Sequence, residues 1–546
     1  MSNRKPPARG ADYLIVGAGT AGCTVARRLA EAGAEVILLE AGGSDLSPTL
    51  TQLMLTMPAG LRSIFKPSSG FNSWYRTEPQ PHLDGRRIDQ PRGRVLGGSS
   101  SINGMTFLRG HPKDYDAWAD EHGCIGWRWA EVEPYFRRLE GRRGPPSPAR
   151  GAAGPVSVTR VEALAPLSAA FLEAGRQAGF DLVEDFNAAP VAGVGRFDMS
   201  VADGRRSSAS RAYLHRAPRP EGLQVVTGRR IVRLVFERDR AVGVSAVDES
   251  GGLETIYAGR EVILAAGVFA TPQILMLSGV GPEAALRAVG LRPRIAAPGV
   301  GENLHDHLEA HIQVETDLPI SLNRYMRPHL TAWAGLQWLV AKTGPAAVNQ
   351  CHVGAFLASA PAFEAWPDVQ MHFFPIFFGP DWLPDPKRNG WRLGCGTMRP
   401  ASRGRVFLQS DDPADAPAID PAYLSAESDR LAMRRALELG REILGQPAFA
   451  TFRGREASPG SDLKATEDLD RFIRLNAASA YHPCGTVRMG GATDDLAPLD
   501  PMLRVKGVDR LRVVDASAMP AVPSANINAA GFMLAEKAAD LISGSS

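Results

Sequence analysis

Three glycines near the start of the chain, Gly17, Gly19 and Gly22, are spaced G-x-G-x-x-G, and the acid Glu40 follows on the far side of a short apolar run. That spacing suits capture of a pyrophosphate. The first glycine permits a tight turn, the second lets backbone approach the phosphates, and the third lets a helix pack on a strand. The helix N-terminus then faces the negative charge, and a carboxylate about 20 residues further on accepts hydrogen bonds from a ribose diol. A second glycine-rich stretch, Gly93 to Gly104 (GRVLGGSSSING), can bring backbone N–H groups close to a planar or anionic ligand. A flexible loop has the same composition, so the residues alone leave both readings open. The third constellation is Tyr481-His482-Pro483-Cys484-Gly485-Thr486, with Asp515-Ala516-Ser517 and Asn526-Ile527-Asn528 downstream. His482 sits where Pro and Gly, not periodicity, dictate the backbone. Nothing nearby activates Cys484, which reads as a buried structural thiol.

The elements that must position these residues are legible around the first motif. Asp12–Val16 reads as a buried strand, Cys23–Ala32 as a helix with Val25, Ala26, Leu29 and Ala30 on one face, and Glu35–Glu40 as a second strand. This is a βαβ unit. Arg230–Glu237 and Ala241–Asp248 read as two strands around a polar turn, and Glu261–Ala266 and Leu511–Val514 as short buried strands of the parallel kind. The Gly- and Pro-rich stretch 141–155 reads as an exposed loop and a domain crossing. Phe363, Trp366, Phe373, Phe374, Phe377, Phe378, Trp382 and Trp391 form an aromatic cluster that suits an apolar substrate pocket or a core equally. The fold class expected is α/β: a nucleotide-binding body assembled from separated segments, with a second domain inserted between them.

Composition excludes several alternatives. The chain has 546 residues, 61 Lys and Arg against 59 Asp and Glu, and 44% hydrophobic residues. A formal charge of +2 gives no overall electrostatic footprint for nucleic acid or an anionic membrane. No run approaches the roughly 18 apolar residues of a membrane span, and the N-terminal lead lacks a signal-type apolar segment. Five scattered cysteines form no C-x-x-C pair, which fits a reducing compartment and a cytoplasmic location.

Several segments, in order, resemble the glucose–methanol–choline (GMC) flavoprotein oxidoreductases, in particular their choline dehydrogenase-like branch. They are the N-terminal βαβ, GRVLGGSSSINGMTFLRGHPKDYDAW from Gly93, AAGVFATPQILMLSGVGP from Ala265, PGVGENLHDH from Pro298, YHPCGTVRMG from Tyr481, and LRVVDASAMPAVPSANINAAGFMLAEKAADLI from Leu511. The resemblance implies FAD and oxidation of a primary alcohol to an aldehyde, with proton abstraction by His482 and hydride transfer to flavin N5. It implies Asn526 as the partner of His482. The cofactor-binding set it implies is Gly17, Gly19, Thr20, Ala21, Glu40, Ala41, Arg94, Gly97, Gly98, Asn103, Gly104, Ile231, Ala266, Asp515, Ala516 and Asn528. The His305-Asp306-His307 triplet, which has the look of a metal pair, is structural on this resemblance, and no metal is expected.

The same resemblance implies a Rossmann-like FAD-binding domain in parts, 1–158, 206–312 and 475–546, with an α+β substrate domain carrying an antiparallel sheet at 159–205 and 313–474. Two departures from the family's pattern matter. Ile102 stands where some relatives attach FAD through a histidine, so FAD is expected to be noncovalent. His352 stands where choline-specific members carry a glutamate, which argues against choline and for an apolar aliphatic or aromatic alcohol. The electron acceptor, oxygen or a quinone-type carrier, is set by access to the flavin and is encoded in no motif. Two other readings compete: a flavin-dependent lyase of the hydroxynitrile lyase type, and choline dehydrogenase proper.

Overall fold

The computed structural model describes residues 10–46, 49–379 and 383–544; the basic N-terminal lead and Trp382 lie outside them. The elements that position the site are, in chain order, β1 (Gly10–Val16), α1 (Thr20–Glu31), β2 (Val36–Leu39), α2 (Leu50–Thr56), α3 (Pro166–Gln177), β3 (Gly193–Arg196), β4 (Leu223–Val226), β5 (Arg229–Glu237), β6 (Arg240–Asp248), β7 (Leu253–Leu264), β8 (Leu308–Thr316), α4 (Pro328–Ala341), β9 (Val353–Leu357), β10 (Val369–Phe374), β11 (Asn389–Thr397), α5 (Glu427–Leu444), β12 (Arg455–Ser458), β13 (Leu511–Val513) and α6 (Asn528–Ser543).

They form two main sheets. The first runs β4-β2-β1-β7-β6-β5, with β13 beside β7. β1 is parallel to both β2 and β7, so Val16 lies between Leu39 and Leu264 in register. The three ends of these strands therefore deliver the glycine turn, Glu40 and Ala265 to one edge of the sheet. β5 and β6 pair as an antiparallel hairpin, and the turn Arg238 takes the left-handed conformation, φ 54°. The helix α1 starts at Thr20, three residues earlier than the apolar spacing suggests, because Gly19 already serves as its cap. It packs beside α6, where the fully buried Glu536 is held by Arg28, by Arg138 and by the Tyr213 hydroxyl.

The second sheet runs β12-β8-β11-β10-β9-β3, with short strands Leu182–Val183 and Ala478–Ser479 at β3 and β8. Its strands alternate with period two. Ala310, Ile312, Leu393, Cys395, Met371 and Phe373 belong to one apolar cluster with Met433, Leu437 and Ile443 of α5. The other face carries Glu309, His311 and Gln313 on β8, opposite Gly396, Gly394 and Arg392 on β11, which in turn face Gln370, His372 and Phe374 on β10. The aromatic cluster is divided by this alternation. Phe373 and Trp391 are core, while Phe374 and Phe378 face a cavity.

The stretch 141–155 is only partly an exposed loop. Glu140–Arg142 and Val156–Val158 pair in parallel at its ends, and Arg150 is buried, bonded to Glu140, Asp185 and Asp198. A buried guanidinium needs such partners, and the segment folds inward to supply them. Among the described residues no helix is long and apolar enough to cross a membrane.

A Cβ on Gly22 would sit 1.8 Å from the Gly17 carbonyl oxygen. Gly22→Ala is therefore expected to cost about 1–3 kcal/mol or more through overpacking, read as a lowered midpoint in denaturant unfolding.

Candidate active site

A cavity of about 1650 Å³ is lined by residues of both sheets. At one end lies the dinucleotide cradle. Gly17 has φ 99°, and a Cβ there would meet the Ala265 carbonyl oxygen at 2.4 Å. Gly19 by contrast faces open space, with nothing within 4 Å of where its Cβ would be. No side chain caps the N-terminus of α1 or of α6. Thr20, on α1, and Asn528, on α6, are joined by a hydrogen bond from the Thr20 hydroxyl to Asn528 Oδ1 at 2.7 Å. Two uncapped helix ends, one of them entered through the open space at Gly19, make a fitting seat for a pyrophosphate.

Glu40 is oriented by the backbone. Its two carboxylate oxygens accept from the Ala18 and Gly42 N–H groups at 2.9 and 2.8 Å. Burial pushes its carboxyl above the usual range, while those N–H groups and Arg94 work against the shift. Lone pairs remain on both oxygens for a diol. Asp515 is held by Gly267 N–H at 2.8 Å and the Thr271 hydroxyl at 2.6 Å, which pins the segment Asp515-Ala516 against the cavity. The residues present thus fit FAD, by open space at Gly19, by the uncapped helices and by the aimed carboxylate.

Of the expected cofactor-binding residues, Gly17, Gly19, Thr20, Ala21, Glu40, Ala41, Arg94, Gly98, Asn103, Gly104, Ile231, Ala266, Asp515, Ala516 and Asn528 line the cavity. Gly97 does not. It sits behind the wall in a left-handed turn, φ 85°, donating its N–H to Ala18 O at 2.8 Å. His352 also stands off the wall, its Nε2–H donating to Asn349 O at 2.6 Å. The carboxylate joined to the His482 end of this cavity comes from elsewhere: Glu309 on β8.

His482 and Asn526 come together, and both line the cavity. Asn526 Nδ2 lies 3.0 Å from His482 Nε2. On the other side of the ring, His482 Nδ1 lies 3.0 Å from His307 Nδ1, and His307 Nε2 lies 2.9 Å from the Met398 carbonyl oxygen. A carbonyl only accepts, so His307 carries its proton on Nε2. Burial lowers His307 to about 4, so the ring is neutral and its Nδ1 is bare. His482 must then donate from Nδ1, which leaves its Nε2 as a lone pair capped by the Asn526 amide N–H. Burial, and then the neighbouring His307 and His372, hold His482 well below the ordinary imidazole value.

The row continues beyond Asn526. Its Oδ1 accepts from Gln370 Nε2 at 3.2 Å and from His372 Nε2 at 3.3 Å. His372 Nδ1 donates to Glu309 Oε1 at 2.6 Å. With both ring nitrogens donating, His372 is an imidazolium. Burial opposes that charge, but Glu309 and Asn526 outweigh it and raise His372 above the ordinary value. Glu309 is pulled well below the carboxylate range: burial acts upward, and His372 and His311 overcome it. Glycines on β11 allow this crossing. A Cβ on Gly394 would meet Glu309 Oε2 at 2.9 Å, and one on Gly396 would meet its Cγ at 2.7 Å. Strand alternation around a G-x-G on β11 was the available sequence signal for Glu309 and His372.

The His305-Asp306-His307 triplet is woven into this frame. Asp306 Oδ1 accepts the His482 backbone N–H at 2.8 Å, and its Oδ2 accepts from the Ser479 and Tyr423 hydroxyls at 2.5 Å each. His305 Nε2 accepts from Val522 N–H at 2.9 Å.

Comparison with known proteins agrees with this geometry. GMC oxidoreductase family models match residues 11–309 and 400–535. The chain is 42% identical over 535 residues to an oxygen-dependent choline dehydrogenase of Rhizobium etli, covering 98% of this chain and 96% of that one. It is 43% identical over 535 residues to the mitochondrial choline dehydrogenase of Homo sapiens, covering 97% and 89%. Among solved structures, pyridoxine 4-oxidase from Mesorbium loti superposes with a TM-score of 0.85 at 31% identity, covering 97% and 98%. Formate oxidase from Aspergillus oryzae superposes at 0.91 with 26% identity, covering 99% of each. The chain thus belongs to the GMC oxidoreductase family and is an FAD-dependent oxidoreductase acting on CH–OH donors.

Proposed function

We propose that this enzyme oxidises a primary alcohol with an apolar aliphatic or aromatic body to the aldehyde, with His482 as the base. What carries the reading is the directed hydrogen-bond row that leaves His482 Nε2 unprotonated and facing the cavity. The substrate hydroxyl would give its proton to that nitrogen, breaking O–H and forming Nε2–H. Asn526 Nδ2 would keep a hydrogen bond to the substrate oxygen and hold the C–H in place. The His372 imidazolium, in the same wall, would stabilise negative charge developing on that oxygen. Bound FAD supplies the hydride acceptor at N5. Phe374, Phe378 and Ile376 in the wall support an apolar substrate body.

FAD is held noncovalently in this reading, since Ile102 in the glycine loop has no nucleophilic atom and burial pushes the Cys351 thiol of the wall upward. Acid precipitation would then release all the flavin into the supernatant. The five buried free cysteines support a cytoplasmic location.

A second reading, choline oxidation, is favoured by the cavity carboxylate Glu309 and by the names of the relatives. Glu309 is committed to His372, which reduces what it can offer a quaternary ammonium. An anaerobic titration with aliphatic, aromatic, amino and quaternary-ammonium alcohols separates the two. Bleaching of the flavin by the apolar alcohols in preference to choline is expected, and bleaching by choline alone would overturn the first reading.

His482→Ala is expected to lower kcat by roughly 10²–10⁴-fold, measured with the best alcohol of that panel. Because the folded-state value of His482 is depressed, the base stays unprotonated as pH falls through 6.5. The acid limb of kcat/KM should therefore lie below the ordinary imidazole range. His372 is raised, so its charge persists above 6.5 and is lost only at higher pH. The profile is expected to be bell-shaped, and Glu309→Gln should move its alkaline limb to lower pH.

A further inference from the structure

One wall of the cavity is made by a helix whose outer side is unlike the rest of the surface. α4 (PHLTAWAGLQWLVA) carries no acidic or basic residue apart from His329. A helix apolar on nearly every side is ordinarily buried all round or set in lipid. Here only one face is covered: Ala334 and Trp338 pack with Met57, Ala346 and Ala347, and the Trp338 indole donates to Gly204 O at 2.5 Å. The opposite stripe, Trp333, Leu336, Leu339 and Val340, is 56, 50, 50 and 78% exposed. A contiguous apolar stripe of this kind marks an interaction surface.

The surrounding charge says what covers it. No Asp or Glu occurs from 318 to 363, nor from 46 to 77. These two segments form one surface, since Met57 packs under α4 and Arg62 Nη1 reaches Met326 Sδ at 3.1 Å. They carry Arg62, Lys66, Arg324, Arg327 and Lys342, none of them ion-paired among the described residues, and Arg76, which pairs with Asp89. The partners of three are neutral: Met326 for Arg62, the Tyr325 hydroxyl for Arg324, and the Trp338 and Leu339 carbonyls for Lys342. Two acids on neighbouring turns are already engaged. Asp203 is bound by Arg143, and Asp385 accepts the Lys387 and Arg388 backbone N–H groups of its own loop. The near-zero charge of the whole chain conceals this local field. A second copy is a poor occupant, because a two-fold contact would set these cations against their own kind.

We propose that this face docks on an anionic lipid surface. The apolar stripe enters the boundary between headgroups and acyl chains, and the Arg and Lys rim meets the lipid phosphates. Thr331, Ala334 and Gly335 of the same helix line the cavity, so docking brings one cavity wall to the lipid.

The test is flotation of the purified FAD-loaded enzyme with vesicles of phosphatidylcholine, alone or mixed with phosphatidylglycerol. The enzyme is expected to float with the mixed vesicles at low salt, to stay behind with phosphatidylcholine alone, and to be released by high salt. The combined variant Trp333→Ser, Leu336→Ser, Val340→Ser should lose about tenfold or more in vesicle affinity, with flavin content and alcohol turnover in solution unchanged. Arg324→Glu with Arg327→Glu should do the same through the rim. Wild-type enzyme that stays unbound with the anionic vesicles, or a serine variant that binds them equally well, overturns the proposal. Self-association of the wild type, abolished by the serine variant and without vesicle binding, overturns it in favour of a second copy.

Discussion

The Met398 carbonyl oxygen can only accept a hydrogen bond, and the protonation of the whole hydrogen-bonded row around His482 follows from that constraint. It requires the proton of His307 on Nε2, hence a bare Nδ1, hence a donating Nδ1 on His482 and a bare Nε2 toward the cavity. The opposite end of the row is anchored as firmly. Glu309 only accepts, so His372 donates to it, and the Asn526 amide is oriented with its oxygen toward His372 and its nitrogen toward His482. From His372 to Met398 every donor points the same way, and His372 also donates outward to Glu309, so both ends of the row are acceptors, a carbonyl and a carboxylate. Burial alone would have left two neutral histidines with free choice of tautomer. The row removes that choice.

The two sheets contribute unequal kinds of precision. The first supplies parallel strand ends, so the glycine turn, Glu40 and the Ala265 segment arrive together because Val16, Leu39 and Leu264 are in register. Backbone atoms do most of the work there, and side chains at the turn are small because larger ones would strike carbonyl oxygens. The second sheet supplies side chains. Its central strand β11 withdraws at Gly394 and Gly396, and the space admits contact between residues of the two flanking strands. Neither glycine sits in a turn; their function is the volume they leave empty.

This difference explains what could be read in advance. The dinucleotide cradle is legible because its chemistry is contiguous: Gly17, Gly19 and Gly22 lie within six residues, and Glu40 closes the same βαβ unit. His482 and Asn526 emerged from motifs that resemble a known family. Glu309 and His372 carry no such mark, because each is one polar residue in a strand and only the register of β8, β11 and β10 brings them together. His352 drew attention by its position in a short motif, yet it turns to the Asn349 carbonyl just before β9. Gly97 belongs to the same glycine loop as Gly98, and its N–H is bound to the Ala18 carbonyl. A motif identifies a segment; whether a given residue faces the ligand depends on neighbours distant in the chain.

The same reasoning applies to charge. A pair held as Glu309 and His372 contributes no net charge to the cavity, so counting carboxylates along the sequence says little about the ligand they would welcome. A carboxylate already satisfied by an imidazolium at 2.6 Å offers a weaker field to a second cation than a bare one does. What Glu309 controls most directly is the protonation of its neighbour. Through Asn526, that charge bears on the bare Nε2 that His482 presents to the cavity. The apolar part of the wall is separate, with Phe374 and Phe378 facing the cavity from the strand β10 and the loop beyond it. The groups that fix the protonation of His482 and the apolar side chains of the wall are thus different residues, and either set can change without dismantling the other.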